Sequence, residues 1–311
     1  NDLIGFGVVH DNFFSERSLA TDGYMQRAIE KLRAAGHLYE LDGATWFRAT
    51  AFGDDKDRVV IRENGATTYF ASDLGYLESK FERGFERALY IFGADHHGYI
   101  ARMKAAAQGL GFDPSKIEIQ LVQFAILFRG QQRVQMSTRA GSFVTLRELR
   151  EEVGTDAARF FYVMRSNDQH LDFDLDLAKS HSNDNPVYYI QYAHARVCSL
   201  FRQLKEKGLH YTDSAALSAR ARLAEESEDL LLGELMRFPE MVESAATNRG
   251  PQILVHYLRD TAAAFHSFYN TVGILNAEEE LRNARLGLAK ATQQVLASGL
   301  ALLGVSAPET M

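Results

Sequence analysis

Leu89-Tyr90-Ile91-Phe92-Gly93-Ala94-Asp95-His96-His97-Gly98 is an apolar run that stops at a glycine and opens into a polar turn. A helical stretch from Ile100 to Leu110 follows. A second apolar run comes next, in which Ile117, Ile119 and Leu121 alternate with Glu118, Gln120 and Val122 before Phe124 ends it. Two short strands separated by a helix read as a parallel α/β unit. Ligands of such sheets sit beyond the C-terminal ends of the strands, so the residues after Phe92 and after Phe124 are where chemistry is expected.

Upstream of this unit, residues 1–60 mix strand-like pieces (Val8-Val9, Trp46-Phe47) with a helical pattern from Tyr24 to Ala35, where Met25, Ile29 and Leu32 recur at helical spacing. Asp54 to Asp57 reads as a polar turn before the strand-like Val59-Val60-Ile61. Downstream of Asp156 almost everything carries a helical pattern. Leu281, Leu288, Val295 and Leu302, seven apart, predict one face of a long helix. Pro186 and Pro239 suit helix starts, and Glu206 to Ser214, with Gly208, reads as a loop. The boundary between domains is expected between Gly154 and Pro186. The division is then an α/β part over 1–150, a connecting helical segment over 151–185 and a helical bundle over 186–311.

The bulk numbers set outer limits. A chain of 311 residues with 46% hydrophobic and 24% charged residues fits a soluble protein of two domains. No apolar run reaches the ~18 residues of a membrane-spanning helix, so no membrane partner is expected. The chain opens on Asn1 rather than Met and shows no signal pattern, which suggests a fragment. The single cysteine, Cys198, rules out an internal disulfide framework and fits a reducing cytoplasm. The net charge is -7, and residues 181–311 carry 12 Lys/Arg against 15 Asp/Glu. Any nucleic-acid binding must therefore come from a local patch and aromatic stacking, not from a general positive field.

Four stretches could carry chemistry. In Thr67 to Tyr76, a helix beginning by Tyr69 would put Tyr69 and Asp73 on one face. A carboxylate beside a phenol hydroxyl is a sound receptor for a guanidinium, although a solvated Asp and a core Tyr give the same pattern. In Gly93 to Tyr99, the glycines let a ligand approach the backbone, and His or Asp could meet metal, ribose or substrate. A metal is disfavoured: adjacent histidines in extended chain point to opposite sides, and no third His or Cys sits at ligand spacing. The loop Arg133 to Gly141 offers hydroxyls, Arg and Gly that suit a polyphosphate, or an ordinary surface loop. In Val187 to Cys198, Tyr188, Tyr192 and Arg196 fall four apart, with Tyr189 and His194 flanking. That stripe suits stacking on unpaired bases, and equally a core face with hydroxyls at its edge. The acidic run Asp172 to Asp176 fails as a calcium loop, because Leu177 stands where Gly is needed and Asn183 where a bidentate Glu belongs. It reads as a lead-in to the next helix.

Singly these signals are weak, but their order and wording resemble one family. Gly-Asp-Asp-Lys-Asp-Arg-Val (53–59), Thr-Tyr-Phe-Ala-Ser-Asp-Leu (68–74), Lys-Phe-Glu-Arg-Gly-Phe (80–85), Gly-Ala-Asp-His-His-Gly-Tyr (93–99), Met-Ser-Thr-Arg-Ala-Gly (136–141), Asp-Ala-Ala-Arg (156–159) and Tyr-Ile-Gln-Tyr-Ala-His-Ala-Arg (189–196) are all similar to bacterial arginyl-tRNA synthetases. The likeness runs to the closing Leu302-Leu303-Gly304-Val305. It implies α/β plus all-α architecture: the C-terminal half of a Rossmann-like class I catalytic domain, then a helical-bundle anticodon-binding domain.

It also implies an arginine-tRNA ligase that activates L-arginine with ATP and Mg²⁺ and transfers it to arginine tRNA, as a cytoplasmic monomer with no tightly bound cofactor. Met136, Ser137, Thr138 and Arg139 would occupy the class I signature loop, with Gln135 and Thr138 at its two lysine positions. Tyr69, Asp73 and His96 would face arginine; Gly93, Asp95 and His97 would lie near ATP. Tyr188, Tyr192, Arg196, Tyr269 and the terminal Met311 would face tRNA. None of the ten histidines sits in a His-Ile-Gly-His string, the other class I signature. The 311 residues alone are therefore expected to be largely inactive. Two rivals remain: a non-catalytic helical RNA-binding module over 181–311, and a cysteinyl enzyme, which would need zinc-ligand cysteines that Cys198 alone cannot supply.

Overall fold

A computed structural model describes residues 2–134 and 144–311. The chain forms two compact units, one of His10–Phe124 and one of the described residues of Asn1–Val9 and Ala125–Met311.

After a short opening helix α1 (Asp2–Gly5), which belongs to the larger unit, the smaller unit begins with α2 (Glu16–Thr21) and α3 (Tyr24–Ala34). An antiparallel sheet follows, β1 (Leu38–Leu41), β2 (Ala44–Phe47) and β3 (Arg58–Ile61), in the order β1-β2-β3. Next comes α4 (Tyr69–Glu82), whose first turn is capped by Thr68: its hydroxyl accepts from the Ala71 N–H and donates to the Val59 carbonyl at 2.8 Å. That second bond ties the helix start to β3. Leu74 and Leu77 of α4 pack with Leu32 of α3 and Phe47 of β2 in one core. Gly75 lets the two helices touch, since a Cβ there would stand 2.9 Å from the Met25 backbone.

The parallel pair expected from the opening stretch is present. β4 (Ala88–Gly93) and β5 (Ile117–Val122) pair in parallel from Ala88↔Ile117 to Gly93↔Val122, joined through α5 (Tyr99–Gly109). Ala105, Ala106 and Ala107 of α5 are fully buried, small enough for close packing.

After α1 the larger unit resumes with β6 (Ala125–Arg129) and β7 (Gln132–Arg133), then α6 (Leu146–Val153) and α7 (Thr155–Val163). A capping box starts α6: Thr145 and Glu148 satisfy each other's backbone N–H. β8 (Leu171–Asp174) pairs in parallel with β6. The acidic run is thus first a strand, with Leu171 and Phe173 buried in alternation, and only its Asp174 acts as lead-in, capping α8 (Leu175–Lys179). The alternation is too short to outweigh the acidic composition when read alone.

The remaining helices are α9 (Pro186–Glu206), α10 (Asp213–Ser218), α11 (Glu226–Met236), α12 (Phe238–Thr247), α13 (Pro251–Thr271) and α14 (Glu279–Leu302). Phe160, Phe161, Phe173, Phe265 and Phe268 fill their common core. In α14 the buried face is not the seven-residue row. Leu288 is buried but Leu302 is 61% exposed, while Ala289, Leu296 and Leu300 face the core. A straight helix drifts by ~20° per heptad, so a row that starts near the core leaves it within three repeats. Val8-Val9 forms no strand; Asp54 to Asp57 make the polar bend expected before β3, in which Asp54 is 7% exposed and gripped by Arg58. Among the described residues no helix is long and apolar enough to cross a membrane.

Candidate functional site

In the smaller unit five described polar atoms are buried with no hydrogen-bond partner: Asp73 Oδ2, Ser79 Oγ, Lys80 Nζ, Tyr90 Oη and Arg102 Nε. Asp73 and Lys80 sit seven residues apart, on one face of α4; Tyr90 comes from β4 and Arg102 from α5. Lys80 Nζ lies over the Tyr76 ring, 2.9 Å from its centroid, and 4.5 Å from that of Tyr90. Arg102 covers Tyr99 at 4.2 Å.

Burial pushes the Asp73 carboxyl up to about 6, opposed chiefly by the Arg102 charge. Burial also brings the Lys80 ammonium down to about 7, with the Arg83 charge adding to it. The Tyr90 phenol is raised by burial and then by the Asp73 charge. A carboxylate this poorly compensated has the chemistry to accept a cationic donor. Tyr69, four residues earlier, is 79% exposed at the first helical position. It stands at the open end of the face that carries Asp73.

Gly93 ends β4, and Asp95 and His96 follow in a single turn of 3-10 helix before α5. The Asp95 carboxylate folds back over Gly93, where a Cβ would meet Oδ1 at 2.6 Å and displace this exposed side chain. The His96 ring packs edge-on against Tyr99 at 5.2 Å, with Nε2 3.7 Å from Asp95 Oδ2. His96 and His97 are both exposed. His96 is the weakest of the charges acting on Asp73, so the turn lies within electrostatic reach of α4. Met136, Ser137, Thr138 and Arg139 lie outside the described residues. Among the described residues no group of three His, Cys, Asp or Glu could hold a metal ion.

In the larger unit the stripe on α9 forms an aromatic ladder. His181 stacks on Tyr188 at 5.5 Å and 11°, Tyr188 on Tyr192 at 6.1 Å and 8°, and Tyr192 on His266 at 5.6 Å and 28°. Arg196 lies 4.0 Å over the Tyr269 ring and donates to Asn270 Oδ1 at 2.9 Å and to His266 Nδ1 at 3.0 Å. Burial drives His266 down to about 4. A neutral ring with Nδ1 accepting from Arg196 leaves Nε2–H to donate to the Tyr189 carbonyl at 3.4 Å. Tyr192, Arg196, Tyr269 and Met311, with Arg202, line a cavity of about 410 Å³. His194 does not join them: it is buried, with Nδ1 2.9 Å from the Pro308 carbonyl.

Met311 reaches that cavity because the chain end is latched. Arg159 donates to the Leu303 carbonyl at 3.1 and 3.2 Å and to that of Phe6 at 2.7 Å. Asp156 accepts from the Ser306 N–H at 3.2 Å and from Gln191 at 2.9 Å, and the Ser306 hydroxyl also bonds to it. The two charged residues of Asp156-Ala157-Ala158-Arg159 thus fix the path of residues 303–306 across α9.

A model of the class I (R) tRNA synthetase catalytic domain matches residues 11–178. The chain belongs to the class I arginyl-tRNA synthetases. The DALR anticodon binding domain matches residues 190–311 of this synthetase chain. It is 60% identical over 311 residues to the arginine–tRNA ligase of Thioalkalivibrio sulfidiphilus, covering 100% of this chain and 53% of that protein. To the arginine–tRNA ligase of Legionella pneumophila (strain Corby) it is 58% identical, with the same coverage. The chain thus spans about half the length of the curated relatives it matches. A Campylobacter jejuni crystal structure assigned as an arginyl tRNA synthetase superposes with a TM-score of 0.90 at 33% identity, covering 100% of this chain and 66% of that one. A methionyl-tRNA synthetase of Mycobacterium tuberculosis, at 14% identity and TM-score 0.69 over 97% of this chain and 75% of its own, shares the fold.

Reading this synthetase chain residue by residue did not single out Lys80, Tyr90, Arg102 or His266. Lys80 had a usable signal, since it follows Asp73 by seven and Tyr76 by four on a helix already expected. Tyr90 and His266 had none, because their partners come from other elements, and Arg102, beyond its contact with Tyr99 in α5, meets the Asp73 charge only across the fold.

Proposed function

We propose that this chain supplies the arginine receptor, part of the ATP site and the anticodon-facing surface of an ATP-dependent arginine-tRNA ligase. The observation that carries this reading is the buried, unpartnered Asp73 carboxylate on α4, in a chain of the arginyl family. The substrate guanidinium would bond to Asp73 and lie against the Tyr69 hydroxyl, with His96 facing the substrate from the turn after β4. Gly93 ends the strand, with Asp95 and His97 in the turn that follows, on the side where open α/β sheets hold ligands, and the N-terminus of α5 comes next; that is where ATP would lie.

Arginine's carboxylate would then attack the α-phosphate of ATP, forming arginyl-adenylate and releasing pyrophosphate, whose charge Met136 to Arg139 would stabilise, and the 2′-hydroxyl of the terminal tRNA adenosine would attack the adenylate's carbonyl, taking the arginyl group and releasing AMP. The protein's part is positioning and electrostatics. The described residues do not fit a Mg²⁺ site of their own; a Mg²⁺ that travels with ATP would be held by the nucleotide's phosphates. Tyr188, Tyr192, Arg196, Tyr269 and Met311 would stack on and bond to unpaired anticodon bases. We place the catalytic part at 1–150, a connector at 151–185 and the anticodon-binding part at 186–311, in a cytoplasmic monomer.

The test uses a chain extended to the length of its relatives. Asp73→Ala should abolish arginine-dependent ATP–pyrophosphate exchange while binding of arginine tRNA persists. Unchanged exchange would discard the pocket. The 311 residues alone should bind arginine tRNA without charging it, and should lose that binding on Tyr192→Ala.

A further inference from the structure

The aromatic ladder on α9 has two ends. Tyr192, near one end, borders the cavity of Arg196 and Tyr269 that the proposed function uses. The other end is His181, which is exposed and stacked on Tyr188. It opens on a separate cavity of about 540 Å³, lined among others by Thr155, His181, Asn185, Tyr188 and Gln191. Met311 touches both cavities and stands between them.

Asn185 is only 3% exposed, and its Oδ1 has no hydrogen-bond partner. Its amide orientation is fixed. Nδ2 donates to the carbonyls of Ala178 at 3.2 Å and Ser180 at 2.8 Å, so the oxygen is the atom left over. Although Asn185 precedes α9, its side chain does not cap the helix. A buried acceptor without a donor costs free energy unless something supplies one. The cavity therefore has a flat stacking surface at its edge, and one of its lining residues, Asn185, carries an unsatisfied buried acceptor. Its charged lining residues include Glu152 and Lys179, which pair with each other, and Asp156, so it presents no net positive charge for a phosphate.

We propose that this cavity is a second nucleotide subsite: it takes one unpaired RNA base that stacks on His181 and donates an exocyclic amino group to Asn185 Oδ1. Cytosine, adenine and guanine carry such a donor; uracil does not. The inference rests on the reading of α9 as an RNA-binding helix, and adds to it a base other than the one held at Arg196 and Tyr269.

The test is binding of the 311-residue chain to the anticodon stem-loop of an arginine tRNA. Uridine is placed in turn at each unpaired position. Losing one base stack should cost His181→Ala about fivefold or more in affinity, while His181→Phe, which keeps a ring, should bind like the unmodified chain. One uridine substitution should weaken binding to the unmodified chain and cost nothing further in His181→Ala. If Tyr192→Ala weakens binding but His181→Ala does not, the second subsite is wrong and the first stands. If neither variant changes binding, both readings of α9 fail.

Discussion

Replacing Asp73 with Asn should make this protein more stable and blind to arginine. Asp73 titrates near 6 in the fold, against 3.8 for an ordinary aspartate, because its carboxylate is buried and Oδ2 has no partner. Between those two values the native state holds more protons than the unfolded chain. Stability therefore falls as pH rises through that window, and the loss is complete above it. About two pH units at ~1.4 kcal/mol each make the ionised carboxylate a burden of roughly 3 kcal/mol near neutral pH. Asparagine has nearly the same shape and no charge to desolvate. The gain of Asp73→Asn over the unmodified protein should thus run from near zero at about pH 4 to roughly 3 kcal/mol at about pH 7.5. Urea unfolding at the two pH values measures it, and calorimetric titration with arginine in the extended chain measures the loss of binding. A gain that does not change with pH, or a less stable variant at neutral pH, would refute the account of a desolvated receptor. Stability given up at a binding group is expected where the ligand is to restore it.

Lys80→Met should flatten the pH dependence at the alkaline side. Lys80 titrates near 7 instead of 10.5, so the native state holds fewer protons between those values and stability rises with pH across them; the variant's urea midpoint should lack that rise. Glu228→Ala should cost about 3–5 kcal/mol, because the carboxylate is buried and accepts from Arg285 Nε at 2.5 Å and from the N–H groups of Ala224 and Glu225. Adding Arg285→Met should recover part of that in the same unfolding assay, since it removes the stranded charge. Gly304→Ala should cost ~1 kcal/mol or more: φ is +68° and the new Cβ would lie 2.3 Å from Arg159 Nη2. Because Gly304 sits in the latched segment, its substitution should also weaken binding of the anticodon stem-loop, measured by filter binding. Arg196→Lys should weaken that binding by about tenfold, as a point charge cannot cover Tyr269 and reach His266 and Asn270 together.

What the sequence determined by itself was local. The parallel pair, α4 with Tyr69 and Asp73 on it, and the aromatic stripe of α9 follow from periodicities of two and about 3.6, which record how each residue relates to its near neighbours along the chain. The family resemblance added roles for Gly93, Asp95, His96 and Met311 that no spacing contained. Tertiary structure alone decided the rest. Leu171–Asp174 is a strand because β6, more than forty residues earlier, offers it a parallel edge. His266 becomes a neutral acceptor only when α13 lays it against Arg196 and Tyr192. Asp73 resists ionisation only because the folded chain buries it and leaves Oδ2 without a partner, and Arg102, arriving on α5, offsets part of that cost. Asp156 and Arg159 have no visible task until the chain end returns, some 150 residues later, to take their hydrogen bonds. Desolvation and long-range pairing depend on what packs against a group, and that is a property of the folded chain, not of its neighbours in sequence.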